Sequence, residues 1–402
     1  VTTMLGTDGG PGTDAVTTRD RATSRRGASR SVVAALLLAL VATVLGATSG
    51  PAQADEEPEP PVATAVVPVE PPVVTGTSRY GSTLTASPGT WSPTDASIAY
   101  QWVRDGAPIG GATAATYRLG AADHARKVSV RVTASSPELD DAVVASAPRT
   151  VELALVASRG RPTLSGVRRY GKTLSASAGR WNVSGLRLQY RWYRDGAKIP
   201  GATRRTYTIQ PGDVGHRLSA RVTASKRYHT TTRVSSYTTG VIGHRRDVRR
   251  TITYSVRRNG SKASLSTFRT QAAQTLADAR GWRGGGIRFK EVSKGGSFTL
   301  VLAKASRVPS YSSGCSATYS CRVGRNVIIN ETRWNKGTSV WSKARRSIRD
   351  YRHMVVNHEV GHFLGKGHAR CPGKGKAAPV MQQQSKGLQG CKANPWPKTS
   401  EL

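Results

Sequence analysis

The sequence predicts a multidomain protein: two all-β sandwiches followed by an α+β domain. Three observations predict it. The chain has 402 residues, enough for two to three domains. Segment 78–135 repeats without gaps at 168–225, with 28 identities in 58 positions, so one unit has been duplicated. Beyond the second copy the pattern changes: residues 247–402 combine strand-like alternation with two longer stretches of helical periodicity.

At the N-terminus, Arg19, Arg21, Arg25, Arg26 and Arg30 precede an apolar run from Val32 to Ala47. Pro51-Ala52-Gln53-Ala54 then supplies a small-residue cleavage site. Residues 1–54 are expected to be a signal peptide, because a 16-residue run is shorter than the ~20 residues a spanning helix needs. The mature protein is then secreted or held at the cell surface, with no membrane span after cleavage. Residues 55–72 are rich in Pro, Glu and Val and read as an extended acidic linker.

The duplicated units are placed at 73–151 and 160–242. Both contain short alternating stretches, such as Tyr100–Val103 and Val128–Val132, and Asp-Gly pairs at 105–106 and 195–196 that make tight hairpin turns. Short strands in units of this size fit β-sandwiches, with Trp102 and Trp192 packed between the sheets. Neither unit contains cysteine. The units resemble immunoglobulin-like modules of bacterial surface and secreted proteins. That resemblance implies tethering or targeting and says nothing of chemistry.

In 247–402, Thr251–Val256, Ile287–Val292, Phe298–Ala303 and Asn326–Ile329 read as strands. Leu265–Arg280 and Arg345–Leu364 read as helices. The second helix runs into His358-Glu359-Val360-Gly361-His362-Phe363-Leu364-Gly365-Lys366-Gly367-His368. Residues i and i+4 share a helix face, so His358 and His362 can reach one metal ion. Glu359 lies just off that face, where it can touch water beside the metal without ligating it. Gly365 can take the left-handed conformation that ends a helix and turn the chain so that His368 becomes a third ligand. Imidazoles in this number suit Zn²⁺ and leave a fourth position open, the mark of a catalytic site. A chance occurrence of the full pattern has an expectation of ~10⁻⁵ per chain of this composition, under independence.

Met381 follows the third histidine by 13 residues. Metzincin peptidases place a methionine turn beneath their zinc, and the long histidine motif with Met381 resembles that arrangement. Two departures stand out: Ala369 follows the third histidine, and Gln383 occupies the place where a tyrosine ligand occurs in some subfamilies. The stretch as a whole resembles a bacterial secreted family catalogued as domain of unknown function 3152, related to the zincin-like peptidases. Leu276–Trp282, Ser320–Gly324, Tyr351–Asn357, Pro379–Gln384 and Asn394–Pro397 carry the resemblance. It implies a metzincin-type fold over 247–402, with zinc on His358, His362 and His368. It implies no substrate.

The four cysteines lack zinc-ligand spacing and allow three disulfide pairings. The expected pairing is Cys315–Cys321 with Cys371–Cys391, the second bridge pinning the loop that carries Met381.

Lys and Arg number 60 against 24 acids, a formal charge of +36. The excess is concentrated: 155–246 holds 19 basic residues and 2 acidic ones, whereas 55–154 holds 7 and 12. Such a field attracts polyanions, and anionic cell-envelope polymers are the expected partners. No nucleic-acid recognition motif accompanies the charge, so specific nucleic-acid binding is not expected. Gly 42 and Pro 21 are too few for a collagen-like or low-complexity chain. The expected function is that of a secreted zinc-dependent metallopeptidase acting on peptide or protein substrates, with Glu359 catalytic and the β-sandwiches tethering or targeting it. Tyr311, Tyr319 and Arg322 are candidates to stabilise an oxyanion, by nearness in sequence to the expected cleft wall. The alternative is a non-catalytic wall-binding or adhesion protein with a structural metal.

Overall fold

A computed structural model describes residues 64–402. The expected signal peptide and residues 55–63 of the expected linker lie outside the described residues. The regular structure in 64–402 is mostly β-strand, with few helices. The rest of the linker stretch is not free chain: Val67–Glu70 forms a strand paired antiparallel with Thr90–Ser92. The valines and prolines that suggest an extended linker suit a short edge strand equally well. Among the described residues, no helix is long and apolar enough to cross a membrane.

The first repeat has a three-stranded sheet (Val73–Thr75, Thr83–Ser87, Thr116–Arg118) facing a larger one. The larger sheet is built on the Ser97–Arg104 and Lys127–Ser136 pair. The second repeat has the same plan, with Leu164–Ser165, Thr173–Ala176 and Thr206–Thr208 on one side. Ala197–Lys198, Arg187–Arg194, Leu218–Ser225 and Thr232–Ser235 form the other. Trp102 and Trp192 are wholly buried, and each indole Nε1–H donates to a backbone carbonyl, Ala114 O and Arg204 O, both at 2.9 Å. They stack on Tyr117 and Tyr207. Each Asp-Gly pair makes a two-residue hairpin with both residues at positive φ, 49° and 85° at Asp105 and Gly106.

The repeats also share a buried ionic knot. Asp123 is fully buried and accepts from Arg104 Nε at 2.7 Å, Tyr117 Oη at 3.0 Å and Gly120 N–H at 2.6 Å. Asp213 accepts from Arg194, Tyr207 and Gln210 N–H in the same way. A buried carboxylate left without these donors would be costly, so the four residues stand or fall together.

The C-terminal domain holds a five-stranded sheet. Its strands are β1 (Arg250–Asn259), β2 (Ile287–Glu291), β3 (Phe298–Ala303), β4 (Cys321–Val323) and β5 (Asn326–Asn330), in spatial order β2-β1-β3-β5-β4. All pairings are parallel except β4 with β5. Helices α1 (Leu265–Ala277) and α4 (Ile348–Phe363) pack on one face. There Phe268, Leu276, Val356 and Val360 bury against Ile252, Leu300 and Ile329. The other face of β3 and β5 (Val301, Ile328) is covered by the segment around Val308 and Cys315. Burial on both faces explains why Leu300–Ala303 is a continuous apolar run.

Helix ends follow local hydrogen bonding. Ser264 and Ser347 cap α1 and α4 by accepting from Thr267 N–H and Asp350 N–H. The helix expected from Arg345 therefore starts at Ile348. The helix expected to reach Arg280 stops at Ala277, where Asp278 turns its carboxylate back onto Arg280 N–H at 2.8 Å. Two short helices, α2 (Glu331–Lys336) and α3 (Ser339–Lys343), and the edge strand β4 were not anticipated. They bury Trp334 and Trp341 beneath α4.

Candidate metal centre

Helix α4 carries His358, Glu359 and His362 into a cleft of about 560 Å³, and the chain turns at Gly365 (φ 83°) to bring His368 to the same point. The three imidazoles present one nitrogen each to a common centre, with all three ligand atoms within 4.8 Å of one another. His362 Nε2 lies 3.2 Å from His358 Nε2 and 3.1 Å from His368 Nε2. Tetrahedral ligation at Zn–N ≈ 2.0–2.1 Å requires nitrogens about 3.3 Å apart, so the spacing fits.

The outward nitrogens explain the inward ones. His358 Nδ1–H donates to Val380 O at 2.8 Å, and His362 Nδ1–H donates to Lys366 O at 2.9 Å. With the proton held at Nδ1, each Nε2 carries a lone pair. Two lone pairs facing one another at 3.2 Å repel unless a cation lies between them, so the donor set fits a metal ion. Burial holds His358 neutral, with a pKa lowered to about 4, and lowers His362 and His368 as well. Neutral imidazole is the form that ligates.

Glu359 is 6% exposed, and burial alone pushes its carboxyl up to about 8. It lines the cleft together with the three histidines. A divalent cation at the histidines would favour its ionised form.

Met381 packs against Gly361 of α4, and its turn touches two of the histidine segments. Val380 O holds His358, and Met381 O accepts from Ala369 N–H at 3.1 Å, immediately after His368. Glu401 fixes this turn from the other side, its carboxylate accepting from Val380 N–H (3.0 Å), Met381 N–H (2.9 Å) and Lys398 N–H (2.7 Å). Gln384 and Asn394 tie the surrounding loop together: Gln384 Nε2 donates to Pro379 O and Asn394 O, and Asn394 N–H donates back to Gln384 Oε1. The disulfides are Cys315–Cys321 and Cys371–Cys391. The second brackets the loop bearing Met381.

Of the three oxyanion candidates, Tyr319 and Arg322 line the cleft and Tyr311 does not. The Tyr311 hydroxyl accepts from Asn259 Nδ2 at 3.0 Å, with its ring packed beside the Val301–Ile328 cluster. Sequence reasoning missed Lys366 and Lys386, which also line the cleft; Lys386 Nζ lies 5.6 Å from the Tyr319 ring. It also missed Glu401, which no motif spacing marks. Gly361 is more than a motif position: it provides the gap into which Met381 and Trp282 pack.

Residues 230–395 match the family model described as "Protein of unknown function (DUF3152)", so this part of the chain carries that domain. No curated protein matches the chain. Similar solved structures include three N-terminal domains of the Highly Immunogenic Outer Capsid protein of bacteriophage RB49. That match has 17% identity and a TM-score of 0.20, and it covers 48% of this chain and 64% of that one. The ICAM-5 D1–D4 ectodomain fragment matches at 18% identity and a TM-score of 0.24, over 41% of this chain and 53% of that one. Tandem Ig repeats of Dlar match at 13% identity and a TM-score of 0.13, over 42% and 98%. The chain thus spans less than two thirds of the first two structures.

Proposed function

We propose that the protein is a secreted zinc-dependent metallopeptidase, with a metzincin-like C-terminal domain carried behind two immunoglobulin-like modules. The observation that carries this reading is the convergence of three Nε2 lone pairs, two with their Nδ1 protons tied to carbonyls, beside a buried carboxyl that has no hydrogen-bond partner among the described residues. Zn²⁺ held by His358, His362 and His368 supplies Lewis-acid polarisation of a carbonyl and lowers the pKa of water. Glu359 acts as the general base: its carboxylate takes a proton from the attacking water and hands it to the amine nitrogen as the C–N bond breaks. Burial keeps its proton affinity high enough for both halves of that exchange. Tyr319 and Arg322 are the cleft residues that can donate to a developing oxyanion.

Apart from the histidines and Glu359, the charged residues lining the cleft are Arg322, Lys366 and Lys386, all cationic. The cleft therefore favours peptides carrying acidic side chains or a carboxylate near the scissile bond. The Glu359→Gln variant tests the reading. It keeps the cleft's shape and the three histidines, so it should retain zinc while cleavage falls at least about 100-fold, the usual scale for removing a general base. Full activity in Glu359→Gln would overturn the assignment.

A further inference from the structure

The duplication supplies an internal comparison. In both repeats the central strands alternate, with Trp102 and Trp192 and their like-phased neighbours turned into the core. The opposite phase forms an outward sheet face. In the second repeat that face presents Arg187, Arg191, Arg221, Arg233 and Lys198. The positions 90 residues earlier hold Ser97, Gln101, Arg131, Val143 and Pro108. One fold, two copies: the first face carries one of these cations, the second five.

The five are not neutralised from within. Arg191 and Arg221 are directly opposite one another across the strand pair, a like-charge contact that disfavours folding. None of the five forms an ion pair among the described residues. The only acids in 155–246 are Asp195 and Asp213. Asp213 is buried in its knot, and Asp195 is engaged by His216 and Arg217 N–H. A repulsive array that the sister module lacks calls for an external anion.

The chemistry of that anion can be narrowed. Four of the five cations are arginine, whose planar fork matches phosphate oxygens in pairs. Strand geometry sets Arg187 and Arg191 about 13 Å apart and cross-strand neighbours about 5 Å apart, so one small anion cannot satisfy the set. Two aromatic rings belong to the face: Tyr193, only 7% exposed and 4.8 Å from the Arg221 guanidinium, and Tyr237, 77% exposed at its edge with the Arg161 guanidinium 5.2 Å from the ring. A single exposed ring already engaged by a guanidinium does not make the run of aromatic platforms on which successive bases stack.

We propose that this face of the second repeat, centred on Arg187, Arg191, Arg221 and Arg233, binds an extended phosphate-bearing polymer that has no bases, such as an anionic polymer of the cell envelope. The inference is independent of the metal centre.

The test uses the full chain and three soluble probes: long-chain inorganic polyphosphate, poly-glutamate and single-stranded DNA, with vesicles rich in anionic phospholipid as a fourth. One variant is Arg187→Ser/Arg191→Gln/Arg233→Thr. A charge-matched control, Lys290→Gln/Lys294→Gln/Lys336→Gln, alters exposed residues of the C-terminal domain. Thermal melts check that both variants fold. Polyphosphate should bind with an affinity that falls log-linearly with salt. The sheet-face variant should lose at least about tenfold and reduce the salt slope by about 2–3, as expected for three lost phosphate contacts, while the control loses less than about threefold. Equal losses in the two variants would reduce the effect to net charge and overturn the site. Tighter binding of DNA or poly-glutamate than of polyphosphate would overturn the chemical assignment. Binding of vesicles without binding of polyphosphate would assign the face to a membrane instead.

Discussion

Replacing Gly361 by alanine sets two known effects against each other. In an ordinary helix interior the change stabilises by about 1 kcal/mol. Here the new Cβ would lie 2.3 Å from Met381 Sδ and 2.8 Å from Trp282 Cζ2. Trp282 cannot yield: it is 1% exposed, and its Nε1–H is bound to Asn357 O at 2.9 Å. Met381 must move, and its turn carries the carbonyl that orients His358. Overpacking of this kind costs about 1–3 kcal/mol, so the net effect should be a loss of about 1 kcal/mol. That lowers Tm by about 2–4 °C in a domain of this size. Zinc affinity should fall about tenfold, as when the hydrogen bond behind a ligand is disturbed. Urea unfolding and competition with a chelating dye measure the two quantities. A second variant gives an internal check: Met381→Ala alone costs about 2–5 kcal/mol through its cavity. Combined with Gly361→Ala it should cost at least about 1 kcal/mol less than the sum of the two, because the added methyl fills space the methionine left. If Gly361→Ala stabilises the protein by about 1 kcal/mol with unchanged zinc affinity, the packing argument is wrong.

Glu401→Gln removes one acceptor from a carboxylate that receives three backbone N–H groups; zinc affinity should drop about tenfold with helix content unchanged, measured by chelator competition and circular dichroism. Arg322→Gln/Lys386→Gln should raise KM for acidic peptides about tenfold, roughly 1.4 kcal/mol, and leave KM for neutral peptides unaltered; equal effects on both classes would refute the electrostatic preference. His353 is buried against Trp396, and burial lowers its pKa from 6.5 to about 4. The unfolded chain therefore binds a proton that the folded one excludes, and stability present above about pH 6.5 is lost as pH falls toward 4. His353→Gln should make that loss shallower in unfolding curves taken across the window, and an unchanged slope contradicts the assignment.

The candidate site was legible because its chemistry is local in sequence. Helical spacing puts His358 and His362 on one face, and a left-handed Gly365 returns His368, so eleven residues specify the convergence of the three imidazoles. The duplication made both sandwich cores legible, since Trp102 and Trp192 recur at the same offset with their tyrosine partners. What escaped was non-local. Glu401 reaches Val380 and Met381 by folding back across 20 residues, and Lys386 enters the cleft on a loop whose path is set by Gln384, Asn394 and a disulfide. The edge strand Cys321–Val323 is too short to show alternation. The start of α4 at Ile348 was missed because Arg345 looks helical by propensity; positive φ at Arg345 and the Ser347 cap overrule it.

The most direct test of the central claim is zinc content and peptide cleavage measured on one preparation of the full chain, before and after chelation and again after zinc is restored. The account predicts one zinc per chain, loss of cleavage with loss of zinc, recovery on reconstitution, and no stoichiometric zinc in His358→Ala/His362→Ala. Failure to bind zinc, or cleavage that persists after the metal has been removed, would contradict it.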